Sequence, residues 1–318
     1  MFKTLRWIKR NLVLSILISM TIGFLIGLFI DTSFLRSGVS FLTFFMVYPM
    51  MVTLNYGSLL EKGNLRLQLI TQLVNFIYLP ILAYLFGIVF FPDEIYLRLA
   101  ILLIALLPTS GMTVSWTVMA NGNVKEAIRM IVVGLFLGGL LSPFYISFFL
   151  GTSIALPLGD IIVQIILVIF IPMLLGFMTQ MVLKKRYGET VFVKSIKPKF
   201  PLFSTFFVVV LIALVMSLRA RMLFEHPLIL ARILVPVVLG YLVMIVSLHI
   251  LGRWLFNDSD RIAFVNGTMV RSLSLALAIA LSVFSDLGPE IALVIAMAYI
   301  VQVQLAAWYT KFSLSLST

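Results

Sequence analysis

Residues 104–123 read IALLPTSGMTVSWTVMANGN, an apolar segment with Pro108 and Gly111 near its start. Residues 261–281 read RIAFVNGTMVRSLSLALAIAL and carry a similar cluster of Gly, Met, Val and Ser, 156 positions further along the chain. Proline lacks a backbone N–H and glycine is a poor helix former, so each segment predicts a helix that is interrupted partway along. In the second segment we expect the interruption at Asn266 and Gly267.

The composition around these segments is typical of a membrane protein. The chain has 318 residues, of which 62% are hydrophobic and 11% are charged, whereas a soluble domain has roughly 45–50% apolar and roughly 25% charged residues. This composition excludes a soluble enzyme. The absence of Cys excludes disulfides and thiolate metal sites, and with only 2 His residues a His-rich metal centre is excluded as well. We therefore expect no metal site.

Apolar stretches of about 20 residues, long enough to cross a bilayer, fill the chain. We predict an all-α polytopic membrane protein of ten transmembrane helices, in which residues 1–318 form a single membrane domain. Gly23-x-x-x-Gly27 and Gly134-x-x-x-Gly138 predict close helix contacts, and a basic connector at about 183–200 follows the sixth span. The predicted spans are 11–30, 35–55, 66–91, 95–120, 126–150, 157–182, 201–218, 227–252, 260–284 and 288–310.

The distribution of basic residues indicates the orientation. With ten alternating spans, 17 of the 23 Lys and Arg residues fall on the side that holds both termini, and five fall on the other. Cytoplasmic loops carry such an excess, so we predict a multi-pass protein of the cell membrane with cytoplasmic N- and C-termini. The net charge of +11 therefore requires no nucleic acid. The expected partners are the lipid bilayer and a small-molecule solute, and the oligomeric state is left open.

Ten spans divide into two halves of five, approximately 1–155 and 156–318, which must enter the membrane in opposite orientations. The fourth span of each half is the interrupted one. Paired discontinuous helices at corresponding places indicate a transporter site, although Pro and Gly can also simply kink packed membrane helices. The predicted substrate-binding residues are Thr109, Ser110, Gly111, Thr113, Ser115, Asn266, Gly267, Thr268, Arg271 and Ser272.

Arg271 is the ionisable residue that the sequence places well inside a span. Burying an arginine in a bilayer costs about 2.5–3.5 kcal/mol on insertion scales, so such a residue predicts a function. All 12 acids fall in loops or at span ends. The counter-charge of Arg271 is then an anionic solute, the carbonyls of unwound backbone, or a span-end acid such as Asp258. Alternatively, Arg271 is a fixed structural charge that replaces a bound cation.

These residues resemble the superfamily of bile acid:sodium symporters and arsenite-efflux permeases. Pro108–Asn123 is similar to both branches, with Met112 and Trp116 closer to the arsenite branch, and Asn75–Pro80 resembles a third-helix motif of the symporters. The resemblance implies two inverted five-helix repeats with discontinuous, crossed helices 4 and 9, and substrate bound between a core and a panel domain. The core helices would be approximately 66–150 and 227–310, and the panel helices approximately 11–55 and 157–218.

The resemblance also implies ion-binding positions. Asn75 stands in place of a symporter Gln ligand, Thr113 in place of a Ser ligand, and Asn266 in place of the ninth-helix Glu. Span ten would pack beside the interrupted helices and adds two candidates, Gln302 and Gln304. Because the family carboxylate is absent, we expect no cofactor, and sodium stays an unsupported alternative.

The sequence thus predicts a secondary active transporter that works by alternating access and carries a small, organic anionic solute. Enzymatic activity is not expected, because the sequence offers neither a nucleophile–base pair nor a buried carboxylate dyad. Two alternatives stay open. One is an arsenite-efflux permease of arsenical resistance, and the other is a non-transporting membrane sensor or scaffold.

Overall fold

The computed structural model describes residues 2–59, 63–150, 158–284 and 287–315, and within these ranges the chain is helical and contains no strand. Short 3₁₀ turns and π turns join or interrupt the α-helices. The 3₁₀ turns are Ser33–Gly38, Tyr56–Leu59 and Lys197–Lys199, and the π turns are Val74–Tyr78, Ile166–Phe170 and Phe192–Ile196. The α-helices are α1 (Phe2–Arg10), α2 (Leu12–Phe29), α3 (Val39–Val52), α4 (Leu65–Leu73), α5 (Leu79–Phe90), α6 (Ile95–Leu106), α7 (Met112–Met119), α8 (Val124–Leu150), α9 (Leu158–Ile165), α10 (Ile171–Tyr187), α11 (Glu189–Val191), α12 (Phe200–Glu225), α13 (Leu228–Leu255), α14 (Asp258–Met269), α15 (Leu273–Val283) and α16 (Gly288–Ser315).

Among the described residues, 8 helical segments are long and apolar enough to cross a membrane. Two of the predicted spans, 35–55 and 95–120, instead contain shorter apolar helices, α3 with 14 residues and α6 with 12. The chain is therefore an all-α, multi-pass membrane protein, as predicted. The 8 segments are Leu12–Phe29, Leu65–Phe90, Val124–Phe149, Gly159–Tyr187, Glu189–Glu225, Leu228–Leu255, Asp258–Val283 and Gly288–Ser315.

Three of these segments contain a π turn, at Val74–Tyr78, at Ile166–Phe170 and at Phe192–Ile196, and a proline follows each turn two residues later. Pro80 has no N–H to donate to the carbonyl of Phe76, four residues earlier. The hydroxyl of Tyr145 on α8 donates to that carbonyl instead. The wider turn and this external donor let the helix pass a proline without leaving a carbonyl unpaired inside the membrane.

The basic segment at about 183–200, predicted as a connector, is helical in the structure. α10 continues to Tyr187, and the chain then runs through α11 and two short turns into α12. Between them, Gly188 adopts a φ of +81°, a left-handed conformation that L side chains rarely tolerate. The helix α10 therefore ends at this glycine.

The chain divides into two compact units. Unit 1 comprises Met1–Leu54, Pro157–Ala231 and Ser274–Ala296, and unit 2 comprises Asn55–Leu156, Arg232–Leu273 and Met297–Thr318. The predicted repeats at about 1–155 and 156–318, and the predicted core and panel helices, stay predictions.

In unit 1, α2 and α12 approach closely through glycine. A Cβ atom added to Gly23 would lie 2.1 Å from the carbonyl oxygen of Ala213, and one added to Gly27 would lie 2.1 Å from that of Ser217. Real Cβ atoms do not approach so closely, so the predicted Gly23-x-x-x-Gly27 contact is confirmed. Also in unit 1, the Gln180 side chain donates to the carbonyls of Val52 and Leu54 at 3.1 and 2.9 Å. It thereby satisfies backbone groups at the end of α3.

The ninth predicted span is buried over its whole middle. Every residue from Asp260 to Leu281 is buried, including Asn266, Arg271 and Ser272. Helices that face lipid expose one apolar side, whereas a helix with buried residues on all sides lies inside protein. This segment is therefore enclosed by the protein, and its polar side chains must find partners there.

Candidate functional site

The interruption of the fourth predicted span lies between α6 and α7, at residues 107–111. Thr109 has a φ of +45°, a conformation that costs a β-branched residue of order 1–3 kcal/mol. Its hydroxyl donates to the carbonyl of Gly267 at 2.6 Å, which helps to hold this conformation. Strained backbone of this kind is concentrated at binding and switch sites.

Pro108 fits against glycine on α8. A Cβ atom at Gly134 would lie 3.1 Å from Pro108 Cγ, and one at Gly138 would lie 2.9 Å from Pro108 Cδ. Gly134-x-x-x-Gly138 therefore packs against the interruption at Pro108, whereas the sequence predicted that it packs against a helix.

The interruption of the ninth predicted span lies at residues 270–272, later than expected. Asn266 and Gly267 are helical, in the last turns of α14. Gly267 serves packing there, because a Cβ atom at this position would lie 2.4 Å from Met130 Sδ. The sequence prediction was wrong about the position because a glycine that permits close packing has the same helix propensity as one that ends a helix. Arg271 consequently lies within the interruption itself.

The two interruptions exchange backbone hydrogen bonds within unit 2. The N–H of Ser110 donates to the carbonyl of Val270 at 2.8 Å, and the N–H of Ser272 donates to the carbonyl of Leu107 at 2.9 Å. Unwound backbone inside a membrane must be satisfied by protein. Here each unwound segment supplies partners to the other.

Side chains of the fourth span add to this contact. Besides the bond from Thr109, the hydroxyl of Thr113 on α7 donates to the carbonyl of Asn266 at 3.3 Å. Thr109 and Thr113 are both buried. The hydroxyl of Thr109 thus binds a carbonyl in the last turn of α14, where carbonyls lack later helical N–H donors. The hydroxyl of Thr113 shares the carbonyl of Asn266 with the N–H of Val270.

The guanidinium group of Arg271 lies among oxygen atoms of the protein. Nε donates to the carbonyl of Ile104 at 3.1 Å, Nη1 donates to the carbonyl of Thr268 at 3.0 Å and to Asn75 Oδ1 at 2.5 Å, and Nη2 donates to the carbonyl of Ala105. Ile104 and Ala105 belong to the last turn of α6, and Thr268 to the last turn of α14, where carbonyls have no partner in their own helix. Arg271 is only 1% exposed.

Gln302 on α16 holds the backbone of the same residue. Gln302 Oε1 accepts the N–H of Arg271 at 2.7 Å, and Gln302 Nε2 donates to the carbonyl of Arg271 at 3.1 Å. The hydroxyl of Tyr241 donates to Gln302 Oε1 at 2.8 Å. Both the backbone and the side chain of Arg271 are therefore fixed by buried polar groups.

The other candidate residues occupy different environments. The side chain of Asn266 is fully buried. Neither atom of its side-chain amide has a hydrogen-bond partner among the described residues, although its backbone carbonyl accepts from Thr113. Ser272 Oγ likewise has no partner there. In contrast, Gly111, Ser115 and Gln304 are exposed. The candidates that share the hydrogen-bonded contact of the interruptions are Asn75, Thr109, Ser110, Thr113, Asn266, Gly267, Thr268, Arg271, Ser272 and Gln302.

A second polar cluster in unit 2, which the sequence analysis missed, is centred on Glu126. This residue is 3% exposed and accepts hydrogen bonds from Arg129 at 3.0 Å, from Gln68 Nε2 at 2.6 Å and from the Asn64 N–H at 2.9 Å. Asp260 on α14 extends the cluster by accepting from Asn64 Nδ2 at 3.0 Å. The cluster ties α4, α8 and α14 together. Its sequence signal was the i, i+3 pairing of Glu126 and Arg129 at the start of a span.

A partly open apolar pocket of about 70 Å³ also lies in unit 2, and Arg271 contributes to its wall. Most of its lining is hydrophobic, and Tyr241 is a second polar residue at its surface. Other lining residues are Leu79, Phe86, Ile101 and Pro236.

Together these features define a multi-pass membrane protein in which two interrupted helices bond to each other beside a buried arginine. The family model of the sodium bile acid symporter family matches residues 40–226, more than half of the chain, and the chain belongs to this family. The predicted resemblance is therefore confirmed. The matched region includes Asn75 and the first interruption and ends before Arg271. A search of curated proteins found no match.

Proposed function

We propose that this chain is a secondary active transporter that moves a small organic anion across the cell membrane by alternating access. Members of its family are transporters rather than enzymes, and its apolar helices suit a multi-pass membrane protein. The proposal includes ten spans in two inverted repeats and cytoplasmic termini, as the distribution of basic residues predicts.

The reciprocal bonding of the two interruptions is the observation that carries this proposal. Ser110 and Ser272 each donate a backbone N–H to the opposite interruption. Each interruption ends one helix and begins another, so it supplies the helix termini and polar backbone with which transporters hold solutes and ions. A packed helix with an ordinary proline kink does not need a second, matching interruption as its partner.

Electrostatics favours an anionic solute. The helices α7 and α15 begin directly after the interruptions, and the N-terminus of a helix carries a positive partial charge. Arg271 adds a full positive charge, and among the ion pairs of the described residues none involves Arg271. The proposed solute therefore carries a carboxylate or a related acid group.

Space for the solute is proposed at Gly111. A Cβ atom added to Gly111 meets nothing within 4 Å, so this position borders open space at the start of α7. Ser110 and Ser115 lie on either side of it in the sequence, and Ser272 Oγ is unpaired in the second interruption. We propose these serines as solute contacts.

A ligand screen followed by transport measurement tests the proposal. The purified chain is screened by thermal stabilisation against mono- and dicarboxylates, sulfonates and their neutral amides. Acids that raise the melting temperature are then offered to proteoliposomes. We expect uptake of one or more acids and none of the neutral amides.

Gly111→Trp fills the open space and should abolish this uptake with little change in melting temperature. Gly159→Trp is the matched control, because Gly159 also borders open space and lies in unit 1, on α9. The proposal would be contradicted if uptake of every acid were no greater than into protein-free liposomes. It would also be contradicted if acids and neutral amides were taken up equally.

The two alternatives predict different results, one in cells and one in proteoliposomes. An arsenite permease would let a cell without its own efflux pump survive arsenite, although a chain without Cys offers no thiolate to this thiophilic species. A sensor or scaffold would be stabilised by a solute without accumulating it in proteoliposomes.

A further inference from the structure

The oxygen atoms around Arg271 form a cage that would suit an inorganic cation. It consists of the carbonyls of Ile104, Ala105 and Thr268 and the amide oxygen of Asn75. Backbone and amide carbonyls are ordinary ligands of hard cations. In transporters with discontinuous helices, unwound carbonyls and the C-terminal ends of half-helices coordinate such ions.

The charge of the cage also matches a single cation. Two helices, α6 and α14, end at it, and each helix C-terminus carries a partial charge of about −0.5. Their sum of about −1 balances one guanidinium group. This balance explains how Arg271 can be buried with only uncharged oxygen atoms as hydrogen-bond acceptors.

The side chain is held by the protein and is poorly placed to hold a solute directly. Four of its five N–H groups donate to the cage. The backbone of Arg271 is fixed in addition by Gln302. Its exposed fraction of 1% leaves almost no surface for a ligand.

We propose that the guanidinium group of Arg271 is the built-in cation of this cage, so that the chain binds no sodium there and its transport does not require a sodium gradient. The statement about transport rests on the proposed function, whereas the statement about the cage does not. Because the two helix ends balance the charge of Arg271, the preference for an anionic solute would then rest on the N-termini of α7 and α15.

The first test measures the melting temperature of the purified full-length chain in sodium chloride and in choline chloride at equal ionic strength. We expect the same value in both salts. Removing the side chain in Arg271→Ala empties the cage, and we expect a lower melting temperature that millimolar guanidinium chloride restores in part. Sodium should restore some of the loss, and choline, which is too large, should restore none.

Arg98→Ala is the matched control. Arg98 is only partly buried and donates from Nε to a single carbonyl, that of Phe91, at 2.6 Å. Its removal leaves no enclosed cage, so guanidinium should not restore any loss. The proposal is overturned if sodium stabilises the wild-type chain above choline, if Arg271→Ala melts like the wild type, or if guanidinium restores both variants equally.

If Arg271→Ala does not fold, Arg271→Lys takes its place, because it keeps the charge on a shorter side chain. We expect an intermediate melting temperature and no response to sodium, and a sodium response would overturn the proposal. Uptake by wild-type proteoliposomes with and without a sodium gradient tests the transport statement. Absence of any uptake would refute the proposed function, while the melting experiments would still decide the cage.

Discussion

Replacing Glu126 by Gln removes the carboxylate from the buried cluster that joins α4, α8 and α14. Glu126 and Arg129 are 3% and 7% exposed, and their side chains are 3.0 Å apart. Gln has nearly the same shape as Glu but no charge, so Glu126→Gln leaves the Arg129 cation buried without its carboxylate. We expect this to be among the most destabilising single substitutions at the end of a span.

The expected loss follows from the burial of the pair. Removing one partner of a buried ion pair costs about 3–5 kcal/mol, because the other charge stays buried. At roughly 2 °C per kcal/mol for a chain of this size, the melting temperature should fall by about 6–10 °C. Replacing both residues in Glu126→Gln/Arg129→Gln removes both charges and should recover about 1–3 kcal/mol relative to the sum of the single losses.

Thermal unfolding of the purified protein, followed by tryptophan fluorescence, measures these changes. Glu189→Gln is the control, because Glu189 pairs with Lys184 at 3.0 Å but its side chain is 74% exposed, and exposed pairs contribute only about 0–1 kcal/mol. If Glu126→Gln melts like the wild type, or if the effects of Glu126→Gln and Arg129→Gln simply add, then the buried pair does not stabilise this part of the molecule.

Two further substitutions test the interrupted and proline-containing helices. Gly138→Val places a side chain against Pro108, where an added Cβ atom alone would lie 2.9 Å from Pro108 Cδ. This overpacking should cost about 1–3 kcal/mol, and solute uptake should fall. Unchanged uptake and melting temperature would show that Pro108 does not need this glycine. Tyr145→Phe removes the hydroxyl that donates to the carbonyl of Phe76; the unpaired carbonyl should cost about 1–3 kcal/mol, measured as a lower melting temperature. A Tyr145→Phe protein that melts at the wild-type temperature would mean that the π turn satisfies this carbonyl without help.

The class of fold could be predicted because lipid imposes a simple rule on composition. Long apolar stretches indicated a multi-pass helical protein, and Pro108 located the first interruption, because proline ends the preceding helix for a local reason. The second interruption was misplaced because Gly267 and Asn266 have weak helix propensity but are kept helical by packing on α8. Sequence alone does not distinguish a glycine that ends a helix from one that admits a neighbour.

The candidate site was only partly predictable for a similar reason. Arg271 was identifiable by its charge, and unwound carbonyls were among the three counter-charges considered for it. Which carbonyls bind it depends on where α6 and α14 end. Pro108 marks the end of α6, but no residue of the second segment marks the end of α14. The cluster around Glu126 was missed because acids at span ends are usually solvated. Its partners Gln68 and Asp260 lie 58 and 134 positions away along the chain.

The complete enclosure of residues 260–281 has a consequence for biosynthesis. A segment with an arginine near its centre costs about 2.5–3.5 kcal/mol in lipid for that residue alone, so we expect it to insert poorly as an isolated helix. Chains are made from the N-terminus, and the groups that bind the Arg271 side chain, on Asn75, Ile104, Ala105 and Thr268, all precede it. The helices that accept this arginine are thus already synthesised when it leaves the ribosome, and the order of translation itself supplies the binding partners that the segment needs to enter the bilayer.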